Sequence, residues 1–368
     1  MNPRKPPLER IPADLLSAAD YERFAADFLD PATLAYIAGG SGDEQSLRDN
    51  LQAFSELRIQ PRLLADCRTG NTRLSLFGHT LRHPILLAPV GNQKLVHPDA
   101  EQAVAQAAAA TDSCLIASTV ASCSLEDIAA ATDAPKWFQL YFQPRREQTL
   151  ALLRRAEAAG YTTIVVTLDT PIQPVSRRAQ RAGFRLPPEL APANLRGLSA
   201  EGQIVLEPDD SLIFQGVMRD APVWADLEWL LEQTQLPVIA KGVLNPTDAR
   251  RLQELGVAGL VVSNHGGRAL DGAPAGLRVL SAIRVAVGDQ YPLLLDGGIR
   301  SGYDVFKSLA SGANAVLIGR PQVYALAVAG ALGVAHLLKL LRDELELCMA
   351  MAGTPRLADI TRDSLCQG

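Results

Sequence analysis

Eight short apolar runs that alternate with helix-length runs from residue 84 onward predict an α/β chain closed into a (β/α)8 TIM barrel. Three observations carry this. The strand candidates are continuously apolar, as strands buried on both faces of a parallel sheet are. The intervening runs are amphipathic and Ala-rich, which makes βαβ units. The strand count is eight, and no GxGxxG turn follows the first strand, as an open dinucleotide-binding sheet would want.

In chain order, the opening "MNPRKPPLERIPADLL" has no continuous apolar core and is not a secretory leader. Residues 1–83 precede the barrel. Their segment "SAADYERFAADFLDPATLAYIAGG" is helical in pattern and is expected to cap one end. The barrel domain, 84–368, then supplies strands at 84–90, 113–118, 136–141, 162–169, 236–242, 258–264, 292–298 and 315–320. Helices are expected at 98–111, 124–131, 146–159, 246–255, 276–287, 302–312 and 321–351. The rhythm breaks once, between strands four and five. There a Pro-rich insertion, about 172–235, has the irregular composition of a lid. The apolar run 323–335 is too short to span a bilayer and is read as a core helix.

Composition narrows the function. Of 368 residues, 48% are hydrophobic and 20% charged, as in soluble globular chains, and the net charge is −5 with scattered basic residues. That argues against a nucleic-acid partner. The five cysteines, at 67, 114, 123, 348 and 366, show no CxxC spacing, so neither a disulfide framework nor a zinc site is indicated. A reducing compartment, the cytoplasm, is expected.

In such barrels chemistry collects at the C-terminal strand ends. Here those ends carry Gln139 and Tyr141, Thr167 and Asp169, Lys241, then Ser263, His265 and Arg268 of "SNHGGR". The last two are "DGGIR", Asp296 to Arg300, and "GRP", Gly319 to Pro321. Glycine turns before helix N-termini, flanked by arginines, form an anion site for a phosphorylated ligand or cofactor. Lys241 leaves an apolar strand and calls for an anionic or electron-rich partner, or a Schiff-base role. His265 is a candidate base. Arg268 matches a carboxylate. A carboxylate held beside a base points to work on the adjacent carbon.

These motifs, with "YIAGGSGDEQSLRDN", "FQLY", "TLDTP", "LPVIAKG", "LDGGIRSGYDVFKSLASGA" and "RDELELCMAMAG", resemble the FMN-dependent 2-hydroxy acid oxidase and dehydrogenase family over nearly the whole chain. The resemblance implies an FMN cofactor and the oxidation of an (S)-2-hydroxy acid to the 2-oxo acid. It implies His265 as the base, for the Cα or the hydroxyl proton, and Asp169 as its stabilising partner. Arg268, Tyr36 and Tyr141 would hold the substrate, and Lys241 would sit near the flavin N1 and O2. Pro89, Val90, Gly91, Thr119, Gln139, Thr167 and Ser263 would contact the flavin. Asp296, Gly297, Gly298, Arg300, Gly319 and Arg320 would hold the ribityl chain and phosphate. Oxygen is the expected acceptor, and a homotetramer is implied by resemblance alone.

Three departures bear on specificity. The family's second substrate-side arginine falls on Ser176, with Arg177 one position later. Arg177 then either swings in or the second arginine is lost. The turn after strand one reads Val90-Gly91 where oxidases often have Thr-Ala, a pair that resembles dehydrogenase members using a quinone or other acceptor. The lid, about 190–215, has no motif that names a substrate. An FMN-dependent isomerase or a phosphate-ligand binding barrel is the rival class. Neither needs a carboxylate clamp beside a base.

Overall fold

The computed structural model describes residues 5–198 and 206–367. All eight expected strands pair in parallel into one closed barrel. They are β1 (Ile85–Leu87), β2 (Leu115–Ser118), β3 (Lys136–Leu140), β4 (Ile164–Thr167), β5 (Val238–Val243), β6 (Gly259–Val262), β7 (Leu293–Asp296) and β8 (Ala315–Ile318). β8 closes on β1 with Val316 opposite Ile85.

The strands read as unbroken apolar runs because both of their faces are buried. One residue of each pair, such as Ile85, Phe138, Val166 or Leu295, packs outward under the helices. The alternate residues Leu86, Ile116, Trp137, Val165, Ile239, Val261, Leu294 and Leu317 fill the interior. Side chains on a strand alternate with period two. Continuing each interior series by two residues therefore lands on Ala88, Ser118, Gln139, Thr167, Lys241, Ser263, Asp296 and Gly319. The apolar filling thus ends in a polar ring at the C-terminal mouth.

Crossover helices follow the expected bounds closely, among them Ala100–Ala110, Arg146–Ala158, Pro246–Glu254 and Gly276–Val287. Their starts are set locally. Asn245 caps the third of these, with Pro at its first turn, and Ser301 caps Gly302–Ala310 through the amide of Asp304. The last helix, Arg320–Ala352, is interrupted at Ala329 and Gly330, whose backbone is not helical. It is long and apolar enough by composition to cross a bilayer, but 67% of its most apolar window is buried inside the protein. It is a core helix.

The segment before the barrel serves both mouths rather than one. A hairpin, Leu74–Leu76 with His79–Leu81, adds Leu76 and Leu81 to the interior core. Its tip residue Phe77 meets Trp137 edge-on with ring centroids 5.5 Å apart, closing the N-terminal mouth. The helices Pro31–Ala38 and Gln45–Ser55 lie at the other mouth, where carbonyls of residues 36–39 accept from Arg268 and Arg320. A short strand, Leu57–Ile59, pairs antiparallel with Leu365–Gln367 and ties the two ends of the chain together.

The insertion between β4 and β5 is more structured than its composition implies. It holds a short helix Arg177–Arg181 and a longer one, Trp224–Glu232. Asn194 is buried and accepts from the amide of Leu125, which anchors its first half to the barrel's flank. Residues 199–205, part of the expected lid, lie outside the described residues.

Candidate active site

The C-terminal mouth opens into a cleft of about 200 Å³. Its lining brings together Tyr36, Tyr141, Lys241, His265 and Arg268 with the turns Pro89–Gly91, Asp296–Arg300 and Gly319–Pro321. Sequence order scattered these residues over nearly 300 positions. The barrel closes them into one ring because each except Tyr36, which comes from the helix Pro31–Ala38 over the mouth, follows the same end of a strand.

Lys241 is the electrostatic centre. Its Nζ lies 2.9 Å from Asp296 Oδ2 and donates to Ser263 Oγ at 2.9 Å, with the lysine side chain only 3% exposed. Burial alone would push its pKa down. The carboxylates of Asp296 and Asp169 outweigh that, and the ammonium ends above its ordinary value. Asp169 shows the converse: burial favours its neutral form, but His265 and Lys241 hold the carboxyl below its usual range. Its Oδ1 lies 2.9 Å from His265 Nδ1. This contact occupies one ring nitrogen with an ionised acceptor and leaves Nε2 as the nitrogen able to take up a proton.

Backbone geometry makes this cluster possible. At Gly242, φ is 101° and the register between β5 and β6 shifts. A Cβ there would strike the side chain of Asp169. Only glycine gives the aspartate room beside both Lys241 and His265. His265 itself has φ 59°, a left-handed conformation uncommon for a residue with a Cβ, and its amide donates to Ser263 Oγ at 2.9 Å.

Arg268 donates from Nη1 to the carbonyls of Tyr36 (2.7 Å) and Gly39 (3.1 Å), and its guanidinium carbon lies 4.8 Å from the centre of the Tyr36 ring. Among the described residues it has no carboxylate partner. Tyr36 is held in turn by Phe184 of the insertion, stacked at 4.2 Å. Burial raises the Tyr141 hydroxyl above its ordinary pKa, so it stays a proton donor. One fixed cation, two phenols and an imidazole backed by a carboxylate can bind a small carboxylic acid and remove a proton beside the carboxylate.

A second half of the cleft is built for an anion. Arg320 is half-buried, and desolvation together with the nearby Arg268 pushes it down to about 10. Among the described residues its guanidinium donates only to carbonyls, those of Ile37, Gly266 and Gly39. A cation partly withdrawn from water with no acid in contact calls for a ligand that supplies the opposite charge. Next to it Gly297 and Gly298 both have positive φ, and a Cβ on Gly298 would collide with the Asn50 carbonyl. Gly319 opens the helix Arg320–Ala352 on the same side. Arg300 lines the cleft and pairs with Glu22 at 3.2 Å. Nearby, Gln139 Nε2, Thr167 Oγ1 and Asp296 Oδ1 are buried without a hydrogen-bond partner among the described residues. A phosphate with a polar, planar heterocycle attached fits this donor set, and FMN has those parts. Gln139, Thr167, Ser263, Lys241 and Asp296 would hold its ring edge and chain. Gly297, Gly298, Arg300, Gly319 and Arg320 would hold its phosphate.

Six expected residues do not line the cleft: Asp169, Gln139, Thr167 and Ser263, which sit at strand ends beside it, and Thr119 and Arg177. Thr119 is fully buried in the wall, where its hydroxyl donates to the Gln139 carbonyl at 2.7 Å and accepts from the Tyr141 amide. It belongs to the outward series of β2. Ser118, one residue earlier, lines the cleft instead. Arg177 forms an ion pair with Asp43 on the surface and does not line the cleft. Ser176 caps the helix Arg177–Arg181 through the amide of Ala179, packed against the backbone of Gly39. The position of the family's second arginine is therefore filled by a capping serine. Gln173, Val120 and Gln93 also line the cleft without having been singled out. Gln173 sits in an insertion with no pattern to mark it. Val120 and Gln93 follow strand ends, where lining positions are expected.

The barrel and this site together define an FMN-dependent oxidoreductase acting on a 2-hydroxy acid. Comparison with known proteins agrees. Residues 25–367 match the family model described as FMN-dependent dehydrogenase. The chain is 59% identical over 359 residues to an L-lactate oxidase of Alicycliphilus denitrificans, covering 98% of each chain. It is 38% identical to a peroxisomal (S)-2-hydroxy-acid oxidase of Oryza sativa subsp. japonica, covering 94% of each. A crystal structure of a mandelate oxidase superposes with a TM-score of 0.86 at 40% identity, over 96% of this chain and 99% of that one. The chain belongs to the FMN-dependent dehydrogenase family, and its activity is the FMN-dependent oxidation of a 2-hydroxy acid.

Proposed function

We propose that the protein is an oxygen-using oxidase of a small aliphatic (S)-2-hydroxy acid, of the L-lactate class, giving the 2-oxo acid and hydrogen peroxide. The observation that carries the site assignment is the His265–Asp169 pair at 2.9 Å in the cleft that Arg268 also lines. The lactate class is supported by the relative of 59% identity and by a second, 44% identical L-lactate oxidase of a Roseobacter species.

Arg268 binds the substrate carboxylate, and Tyr36 and Tyr141 donate to the substrate's oxygens. His265 Nε2 accepts a proton from the substrate, and the Asp169 carboxylate stabilises the resulting imidazolium. When bound, FMN supplies the two-electron sink for the Cα–H bond. Lys241 places a fixed positive charge where the electron-rich edge of that sink gains density. Arg177 takes no part, so one guanidinium, Arg268, carries the carboxylate. The Val90–Gly91 turn in the lining favours a second reading, a dehydrogenase passing electrons to a quinone or similar acceptor.

A panel of L-lactate, glycolate and (S)-mandelate tests this on the yellow holoenzyme. Anaerobic bleaching fastest with L-lactate, followed in air by stoichiometric peroxide, is the expected result. Bleaching without peroxide in air selects the dehydrogenase. No bleaching by any acid overturns the reading. We also propose a cytoplasmic homotetramer. The five free cysteines support a reducing compartment, and light scattering on the purified enzyme tests the assembly.

A further inference from the structure

We infer that Asn50 and Asn264 form a positioning bridge that sets the backbone of His265 and ties it to the FMN phosphate cradle. The inference rests on the proposed roles of that histidine and cradle. The two carboxamides exchange hydrogen bonds: Asn50 Nδ2 donates to Asn264 Oδ1 at 2.8 Å, and Asn264 Nδ2 donates to Asn50 Oδ1 at 3.0 Å. Both residues are almost fully buried, at 2% and 1% exposure. Neither reaches the cleft lining.

Asn264 directly precedes His265, and its amide spans the turn. Oδ1 also accepts from the Gly267 amide at 3.0 Å, and Nδ2 also donates to the Pro274 carbonyl at 3.1 Å. Every donor and acceptor of the side chain is thus engaged. Residues 265, 266 and 267 all have positive φ, at 59°, 63° and 76°. A run of this kind persists only where the surroundings fix it. The Asn264 side chain is the group that closes it. Asn50 serves the other side. Its backbone carbonyl and carboxamide form the floor under Gly298 and Gly297, where a Cβ on Gly297 would meet the Asn50 side chain at 3.3 Å. One buried amide pair therefore touches both the turn that carries the base and the turn that receives the phosphate. From the cleft side, Arg320 donates to the Gly266 carbonyl of the first of these turns at 2.8 Å.

The geometry predicts that losing the bridge misplaces the imidazole and loosens the cradle while leaving Arg268 in place, because Arg268 is held separately by the carbonyls of Tyr36 and Gly39. The experiment compares Asn50→Ala, Asn264→Ala and the double variant with the parent at saturating FMN. An ångström of misplacement at a reacting centre costs up to about a hundredfold, so anaerobic bleaching at saturating L-lactate should slow by about ten- to a hundredfold in each single variant. The double variant should be no slower than either, as for residues acting as one unit. Affinity for the 2-oxo acid product should stay within about threefold, and the Kd for FMN, read by flavin fluorescence, should rise about tenfold (on the scale of supporting contacts to a bound group). If the alanine variants do not fold, Asn50→Ser gives the same readouts.

A bleaching rate within about twofold of the parent overturns the inference, as does an unchanged FMN Kd. A rate loss matched by an equal loss of 2-oxo acid affinity does so too, because it marks a collapsed pocket. If the parent itself is not bleached, the proposed reaction fails instead, and the two failures are distinct.

Discussion

Replacing Lys241 with methionine should destabilise the folded protein and make that loss depend on pH. The lysine is 3% exposed and its partner Asp296 10%, with 2.9 Å between Nζ and Oδ2. Asp296 Oδ1 has no other partner, and Asp169 adds a second carboxylate to the same cluster. Methionine fills the volume but leaves Asp296 without its cation and Asp169 with His265 alone. Removing one partner of a buried pair costs about 3–5 kcal/mol. Over 368 residues, at about 2.1 cal/mol/K per residue, the unfolding entropy is about 0.8 kcal/mol/K, so Tm should fall by about 4–6 °C at pH 7.

The pH dependence follows from the shifts. The Lys241 pKa is raised, so its contribution in the parent is fully present below the unfolded lysine range and is lost only as pH rises through the higher folded value. The Asp169 pKa is lowered, so its contribution is present above the ordinary carboxylate range and is lost as pH falls through the folded value. In the variant Asp169 loses the Lys241 contribution that lowers its pKa, so it takes up a proton in the folded state at a higher pH than in the parent. The variant therefore recovers stability relative to the parent as pH falls from neutral toward the ordinary carboxylate range. Thermal unfolding at matched, saturating FMN across that span is the assay. A Tm gap below about 1 °C at neutral pH, or one that does not narrow on acidification, refutes the electrostatic account of Lys241.

Three further outcomes follow from the site. His265→Asn keeps a residue type that tolerates the left-handed backbone, so FMN binding should persist while flavin bleaching by substrate slows about 10²- to 10⁴-fold; a smaller loss in stopped-flow would remove His265 as the base. Arg268→Lys keeps the charge but loses the planar fork, and should raise KM by about tenfold, with a lesser change in kcat, in steady-state assays. Arg177→Ala should leave KM within about twofold, since the side chain pairs with Asp43 at the surface, whereas Ser176→Arg should lower Tm by removing a helix cap.

What the sequence made legible, and what it hid, divides along one physical line. Period-two alternation is local, so the barrel and its polar ring could be read from it. Lys241, Ser263 and Asp296 each continue a series of interior residues by two positions. The expected flavin contact at Thr119 stands against that same rule. "LIAST" ends in two adjacent hydroxyls, and counting from Ile116 selects Ser118, leaving Thr119 on the outward face to brace the Gln139 carbonyl. The signal was present and phase decided it. Other features have no local signal. The pairing of Leu57–Ile59 with Leu365–Gln367 joins segments some 300 residues apart, and nothing in either run names the other. The fate of Arg177 depends on the path of an irregular insertion, which carries it to Asp43. Asn50 and Asn264 are the instructive middle case. Each stands within a motif that the family resemblance had already picked out, "RDN" and "SNHGG". Their connection is invisible until helix Gln45–Ser55 is laid against the turn after β6. A buried asparagine beside a catalytic turn has to satisfy four hydrogen-bonding sites, and a second asparagine satisfies two of them reciprocally. That requirement makes the pair specific to one arrangement of two turns, and it is why a change more than 200 residues from His265 should register in the chemistry.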